Sequence, residues 1–320
     1  MVQGMNRAAR RRMAAALCRG EPVHLRLGRA DHLERWQQQQ LFPLCASVVD
    51  ESGHNRTPGG ILRRALSPSG PAVTAVIPCH RSVPTGLAAL LRQQWDVDVL
   101  IISNGSGPQR VPGARVVRVP WRGHGRTRQD ALAHVDTPLV LFLSDDAVPV
   151  GTGFVGTLAH ALVDGPWDAV VARQVPWPDA PIAVQRRIAA WTPWELSVQS
   201  MPQADHVATL HRTALLRAAP LPSVAIAEDL VWSVGRRVGL VPDAVVLHSH
   251  PVAPIAQFRR ARAEHQVRRG AGLNTPVTSM SALFSGIPAV VRDVLRHGPL
   301  VGAAAAGELL GQWAGARRGH

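Results

Sequence analysis

The sequence predicts an α/β protein: a mostly parallel sheet with helices on both faces, carrying helical extensions at both ends of the chain. Three observations lead there. Between 71 and 250, short apolar runs alternate with polar loops and amphipathic segments, the grammar of parallel strands joined by crossover helices. The loops closing those runs hold most of the chemistry-bearing residues, as expected where ligands sit outside the carboxyl ends of strands. Outside that stretch the alternation stops. Three regions are therefore expected: 1–70, a partly helical extension; 71–250, the sheet domain; and 251–320, a helical region.

The 320 residues are ample for a core, and 46% hydrophobic with 18% charged content describes a globular chain. Lysine and tyrosine are absent, so all 35 basic residues are arginine, which reflects coding bias as much as chemistry. The net charge of +13 favours anionic partners: nucleotide sugars, acidic lipid or nucleic acid. Nucleic-acid binding would ask for arginines interleaved with aromatics, and aromatics make up only 4%. Cys18, Cys45 and Cys79 are too few and too scattered for a disulfide framework. No run of 18 apolar residues occurs, and arginines fill the place of a signal peptide's apolar stretch. A cytoplasmic protein is expected, with peripheral contact at the inner face of a membrane left open.

In chain order, Arg7–Leu17 opens as a basic helix, Trp36 and Gln37–Gln40 read as a polar helix face, and 53–60 as loop. Ala72–Ile77 is a buried strand stopped by Pro78, and Gly86–Trp95 a helix that Thr85 can cap. Val97–Ile102 is a strand closed by the tight loop Ser103–Gly107, and Val116–Val119 a third. Gly123–Gln129 reads as loop leading to a short helix at Asp130–His134. Gly153–Val163 is helical, Ala169–Val175 a strand, and Trp191 and Trp194 share helical spacing, more often packing than a ligand platform. Val207–His211 is a strand before a helix at Leu215. Leu230, Val231, Val234 and Val238 trace one helix face, which puts Glu228 and Asp229 at its N-terminus, where the dipole favours ionised carboxylates. Val245–His250 is a last strand, with His248 and His250 on one side. Residues 254–270 form a basic helix, and 280–310 packed or surface-lying helices.

One stretch stands out. Leu139–Leu143 is five apolar residues long and ends directly in Ser144, Asp145 and Asp146. A solvated turn is the commoner reading of Asp-Asp, but two adjacent carboxylates at a sheet edge repel unless a cation sits between them. A divalent ion and the diphosphate it neutralises are natural occupants.

Taken in order, Pro78-x-His80, Ser103-Asn104-Gly105, His124-Gly125-Arg126-Thr127-Arg128-Gln129, Asp145-Asp146, Arg173-Gln174-Val175-Pro176, Glu228-Asp229-x-x-Trp232 and His248-Ser249-His250 with Gln257-Phe258-Arg259-Arg260 resemble an inverting family-two glycosyltransferase of the GT-A fold. The nearest likeness is to bacterial rhamnosyltransferase-like members, across roughly 72–270. The resemblance implies transfer of a sugar from a nucleotide-diphosphate sugar, dTDP- or UDP-linked and rhamnose-like, to an acceptor hydroxyl of a glycan, lipid-linked intermediate or small metabolite. Asp229 would be the general base. Pro78, His80, Ser103, Asn104, Gly125, Arg128 and Asp145 would bind the donor, with Arg128 on its phosphates. Asp146 and His248 would hold Mg²⁺ or Mn²⁺. Ser103 stands where the family usually carries an aspartate, and Gln129 replaces an asparagine. A metal-dependent nucleotidyltransferase and a non-catalytic basic binding protein are the alternatives.

Overall fold

The computed structural model describes residues 7–19, 21–26, 42, 45, 47–49, 52, 69–178, 180, 184–185, 188, 198–201, 203–224, 226–249, 253–273, 280–297 and 299–316. The expectations for Trp36–Gln40, 53–60, Trp191, Trp194 and His250 lie outside those residues.

Among the described residues, nine strands build the main sheet: β3 (Val73–Cys79), β4 (Val97–Ser103), β5 (Arg115–Arg118), β6 (Leu139–Leu143), β7 (Val148–Pro149), β8 (Ala169–Val175), β9 (Gln199–Met201), β10 (Ala208–Arg212) and β11 (Val238–Leu247). The order is β5-β4-β3-β6-β10-β8-β11-β7, with β9 also on β11. Strands β5, β4, β3 and β6 run parallel, as do β8 and β11, while β10 lies antiparallel between β6 and β8. The expected mostly parallel α/β sheet is thus borne out.

Alternation along each strand explains why both faces are covered. Val73, Ala75, Ile77, Leu139, Leu141 and Leu143 pack with α2 (Leu87–Leu90) and α4 (Phe154–Asp164) on one face. Val76, Val140 and Phe142 pack on the other with Ala131 of α3 (His124–Ala131), Leu216 of α5 (Thr213–Ala218) and Trp232 of α6 (Glu228–Trp232). Each large side chain buried this way contributes roughly 1.5–3 kcal/mol.

Three elements differ from expectation. Helix α3 begins at His124, so Gly123–Gln129 is mostly helix, continued by a 3₁₀ turn at Leu132–His134. Helix α6 stops at Trp232, and Val238 opens β11 rather than closing a helix face. β11 escapes a simple reading because its register shifts between Val241 and Val245, around Pro242 and Asp243, which breaks the period of two. It also ends at Leu247, so His248 sits just past the strand.

The terminal regions pack onto this frame. Met13 and Leu17 of α1 (Arg7–Cys18), with Phe42, Cys45 and Val48, share a buried cluster with Ala89, Val148, Val245 and Leu247. Val48 belongs to a two-stranded parallel sheet, β1 (His24–Arg26) with β2 (Ser47–Val49). At the other end are α7 (Pro254–Gly270), α8 (Met280–His297) and α9 (Pro299–Ala316). Gly307, Gly311 and Gly315 of α9 lie against the carbonyls of Pro254, Phe258 and Arg262 of α7, where any Cβ would collide. The matching four-residue steps mean the two helices run parallel, backbone against backbone.

Candidate functional site

The site forms where the strand ends meet. After β6 the chain turns, Ala147 N–H donating to the Ser144 carbonyl, and enters β7, which pairs with Val246 and Leu247 of β11. That pairing carries Asp146 to the residue following β11. Asp146 Oδ1 lies 3.4 Å from His248 Nε2. The His248 backbone is held by its N–H to the Val175 carbonyl, 2.8 Å away. Asp145 is half-buried, and burial, then the neighbouring Asp146 charge, raises its pKa.

On the far side of His248 a chain of polar contacts leads inward. His248 Nδ1 is 3.2 Å from Gln174 Oε1, and Gln174 Nε2 donates to Asp205 Oδ2 at 2.6 Å. These residues border a cavity of about 400 Å³ whose other walls include Arg260, His265 and Arg268 of α7.

Beyond Asp205 lies the second acidic pair. Asp229 accepts the His206 N–H at Oδ2 and the Leu230 N–H at Oδ1, both at 2.9 Å. Burial raises its pKa, with the Glu228 and Asp205 charges adding to the effect against the pull of His206. The helix terminus therefore does not dominate Asp229, contrary to the expectation from its position. Burial also works to raise Glu228, but the hydrogen bond from His206 and the charges of Arg128 and His206 win, holding it at about 2. Ala227, which precedes the pair, is the only non-glycine with positive φ among the described residues (φ 61°). Such strain costs on the order of 1 kcal/mol and collects at functional sites.

The expected donor residues divide. Pro78 and His80 follow one another at the end of β3, beside the end of β4 through the Cys79–Ser103 register. Ser103 and Asn104 are buried, and Asn104 donates to the Val119 carbonyl, so its amide ties the loop rather than facing a ligand. Arg128 is 6% exposed, and its guanidinium binds Glu228 at 2.8 Å. Gly125 is equally internal, since a Cβ there would come within 2.8 Å of the Glu228 Cβ. Both residues pack α3 against α6. Cys79, its thiol pushed up to about 12 by burial and by Asp145, has no thiolate to offer.

For a metal, no group of three or more His, Cys, Asp or Glu gathers among the described residues. At the strand ends Asp146 and His248 come together, 3.4 Å apart. A carboxylate with an imidazole is a donor set that suits a divalent ion completed by substrate oxygens. Sequence reasoning missed Asp205 and His206, and it found Gln174 without a role. Asp205 and His206 precede a strand and carry no periodic signal, so only the fold reveals those two, and it supplies the contacts of Gln174.

No family model matches this chain. The O-antigen chain rhamnosyltransferase RfbN of Salmonella typhimurium is 27% identical over 218 residues, covering 59% of this chain and 69% of that protein. Among solved structures, the mannosyltransferase PcManGT from Pyrobaculum calidifontis, in complex with GDP-Man and Mn²⁺, is 17% identical with a TM-score of 0.50, covering 76% of each chain. The chain has the GT-A fold, and its sequence is similar to that of a glycosyltransferase over 59% of its length.

Proposed function

We propose that the protein is an inverting glycosyltransferase that moves a rhamnose-type sugar from a dTDP- or UDP-linked donor to an acceptor hydroxyl. The observation carrying this reading is the meeting of Asp146 and His248 at 3.4 Å on the edge that also bears Asp145 and Asp229. The two would hold Mn²⁺ or Mg²⁺ against the donor diphosphate. A bound ion would neutralise charge developing on the leaving diphosphate. Pro78 and His80 line the nucleoside side, and Asp145 takes the ribose. The acceptor enters through the cavity beside Asp205. Its oxygen attacks the anomeric carbon from the face opposite the diphosphate. One C–O bond forms as the other breaks, the bonding pair leaves on phosphate oxygen, and the hydroxyl proton passes to Asp229. The raised pKa of Asp229 makes it a stronger base than an exposed aspartate. Likeness to a rhamnosyltransferase supports the sugar class.

Thermal unfolding with UDP, dTDP and GDP, each with and without Mn²⁺, tests this. At least one nucleotide should raise the melting temperature, and more so with Mn²⁺. No shift with any pairing would overturn it.

The finer location follows from α8. No described helix is long and apolar enough to cross a membrane. Yet α8 packs Leu283 inward while Phe284, Ile287, Val291 and Leu295 stay exposed, Leu295 by 80%, with Arg292 exposed at their flank. A chain of charge +13 repels a second copy and is drawn to anionic lipid, so this face fits a peripheral contact. The protein should sediment with vesicles of phosphatidylglycerol and phosphatidylcholine but not of phosphatidylcholine alone, and Leu295→Glu should weaken that binding.

A further inference from the structure

We infer that Asp205 and Gln174 are positioning residues that fix the tautomer of His248, so that its Nε2 lone pair is presented toward Asp146. The inference rests on the metal-assisted reading above and concerns two residues to which that reading gives no part.

Two acceptors face the ring, and the closer one decides: Gln174 Oε1 lies 3.2 Å from Nδ1, against 3.4 Å for Asp146 Oδ1 from Nε2. A carboxylate only accepts, so the group 2.6 Å from Asp205 Oδ2 must be the NH₂ of the Gln174 amide. That orientation turns Gln174 Oε1, which also only accepts, toward His248 Nδ1 at 3.2 Å. Nδ1 must then carry the ring proton. A neutral imidazole protonated there keeps its lone pair on Nε2, the atom 3.4 Å from Asp146 Oδ1. An amide alone could flip and reverse the order; Asp205 is what prevents it. Asp205 is itself fixed, because its Oδ1 accepts the Val207 N–H at 3.0 Å. Neutral imidazole binds metal through whichever nitrogen lacks the proton, and outer partners of this kind set that choice.

The relay predicts opposite results for two variants. In Asp205→Asn, the Val207 N–H retains the new amide's oxygen, so its NH₂ faces Gln174. The Gln174 amide then flips, donates to Nδ1, and drives the ring proton onto Nε2. In Gln174→Leu the acceptor at Nδ1 is lost, so the preference for a proton on Nδ1 weakens.

The readout is ¹⁵N NMR of histidine-labelled, metal-free protein in mildly alkaline buffer, with His248→Gln identifying the signal. Wild type should show Nδ1 protonated and Nε2 bare, Asp205→Asn the reverse. Binding of Mn²⁺ alone, followed by loss of the free-ion electron paramagnetic resonance signal, should weaken about 10–100-fold in both variants. Asp205→Asn is isosteric, so it keeps the test open if Gln174→Leu fails to fold. A proton on Nε2 in wild type, or an unchanged tautomer in Asp205→Asn, overturns the relay. The NMR readout needs neither metal nor substrate. Nδ1 protonated without Mn²⁺ uptake would overturn the metal-assisted reading and uphold the relay, while Mn²⁺ uptake with Nε2 protonated would do the reverse.

Discussion

The chain carries two pairs of adjacent acids at the carboxyl edge of one sheet, Asp145-Asp146 and Glu228-Asp229, and the fold treats them differently. The first pair is half-buried, and Asp146 lies 3.4 Å from the His248 imidazole. The second is split. Glu228 is buried and bound to Arg128 and His206, which holds its pKa near 2, while Asp229, one residue on, is pushed upward. Sequence adjacency therefore says little about role. The two acids of the first pair are alike in exposure; the second separates an acid held ionised down to about pH 2 from one whose pKa is raised.

The largest effect should come from Asp229. If it is the base, Asp229→Asn should lower transfer by about 10²–10⁴-fold while nucleotide binding, read by thermal shift, stays near wild type. Equal loss of both would place Asp229 with Glu228 as structural and erase the contrast. Next is the other half of the pair. Arg128→Met leaves Glu228 buried without its cation, and breaking such a pair costs about 3–5 kcal/mol. Denaturant unfolding should show that loss. A nearly neutral Arg128→Met with weaker nucleotide binding would return Arg128 to the donor site.

The contrast also shows what could be read without coordinates. Strands β3, β4, β6 and β8 were legible because mostly apolar runs closed at polar or proline residues near Pro78, Ser103, Ser144 and Pro176. So was helix α7, with Pro254 at its first turn and an unbroken run of helix-compatible residues to Gly270. Asp146 and His248 were matched through a family resemblance, and the β7–β11 pairing supplies the physical reason they meet. The packing of Gly125 and the ion pair of Arg128 were not legible: glycine permits close approach of α3 to α6, and the arginine neutralises Glu228 from another helix. No local pattern announces a partner one hundred residues away. The N-terminal region resembled an appendage because its buried residues, Met13, Leu17, Phe42, Cys45 and Val48, are too sparse to show a period.

A smaller effect sharpens the first pair. Asp146→Asn removes one charged oxygen but keeps the side chain's shape, so the fold should hold while Mn²⁺ affinity drops about tenfold or more. Asp145→Asn should affect nucleotide binding more than Mn²⁺ binding. Indistinguishable variants would mean that the two carboxylates act as one site.

The smallest effect is a pH dependence of stability in which the second pair pulls both ways. Glu228 has a folded pKa near 2, below its ordinary 4.5. Between those values the unfolded chain binds more protons, so the stability that Glu228 contributes above 4.5 is lost as pH falls toward 2. Asp229 has the opposite sign, because its folded pKa lies above the ordinary 3.8. The folded state then binds the proton first, and acidification through that raised pKa relieves a cost present at neutral pH. Asp145, also raised, adds to the relief. His211, held well below the ordinary 6.5 by burial, costs stability as pH falls below that value, so on that declining background Asp229 contributes a rise and Glu228 a further decline below pH 4.5. Asp229→Asn should remove part of the rise and retain the decline, whereas Glu228→Gln should blunt the decline and retain the rise. Both variants shifting the same limb would mean that the pair titrates as one unit and that the split between a fixed charge and a proton acceptor does not exist.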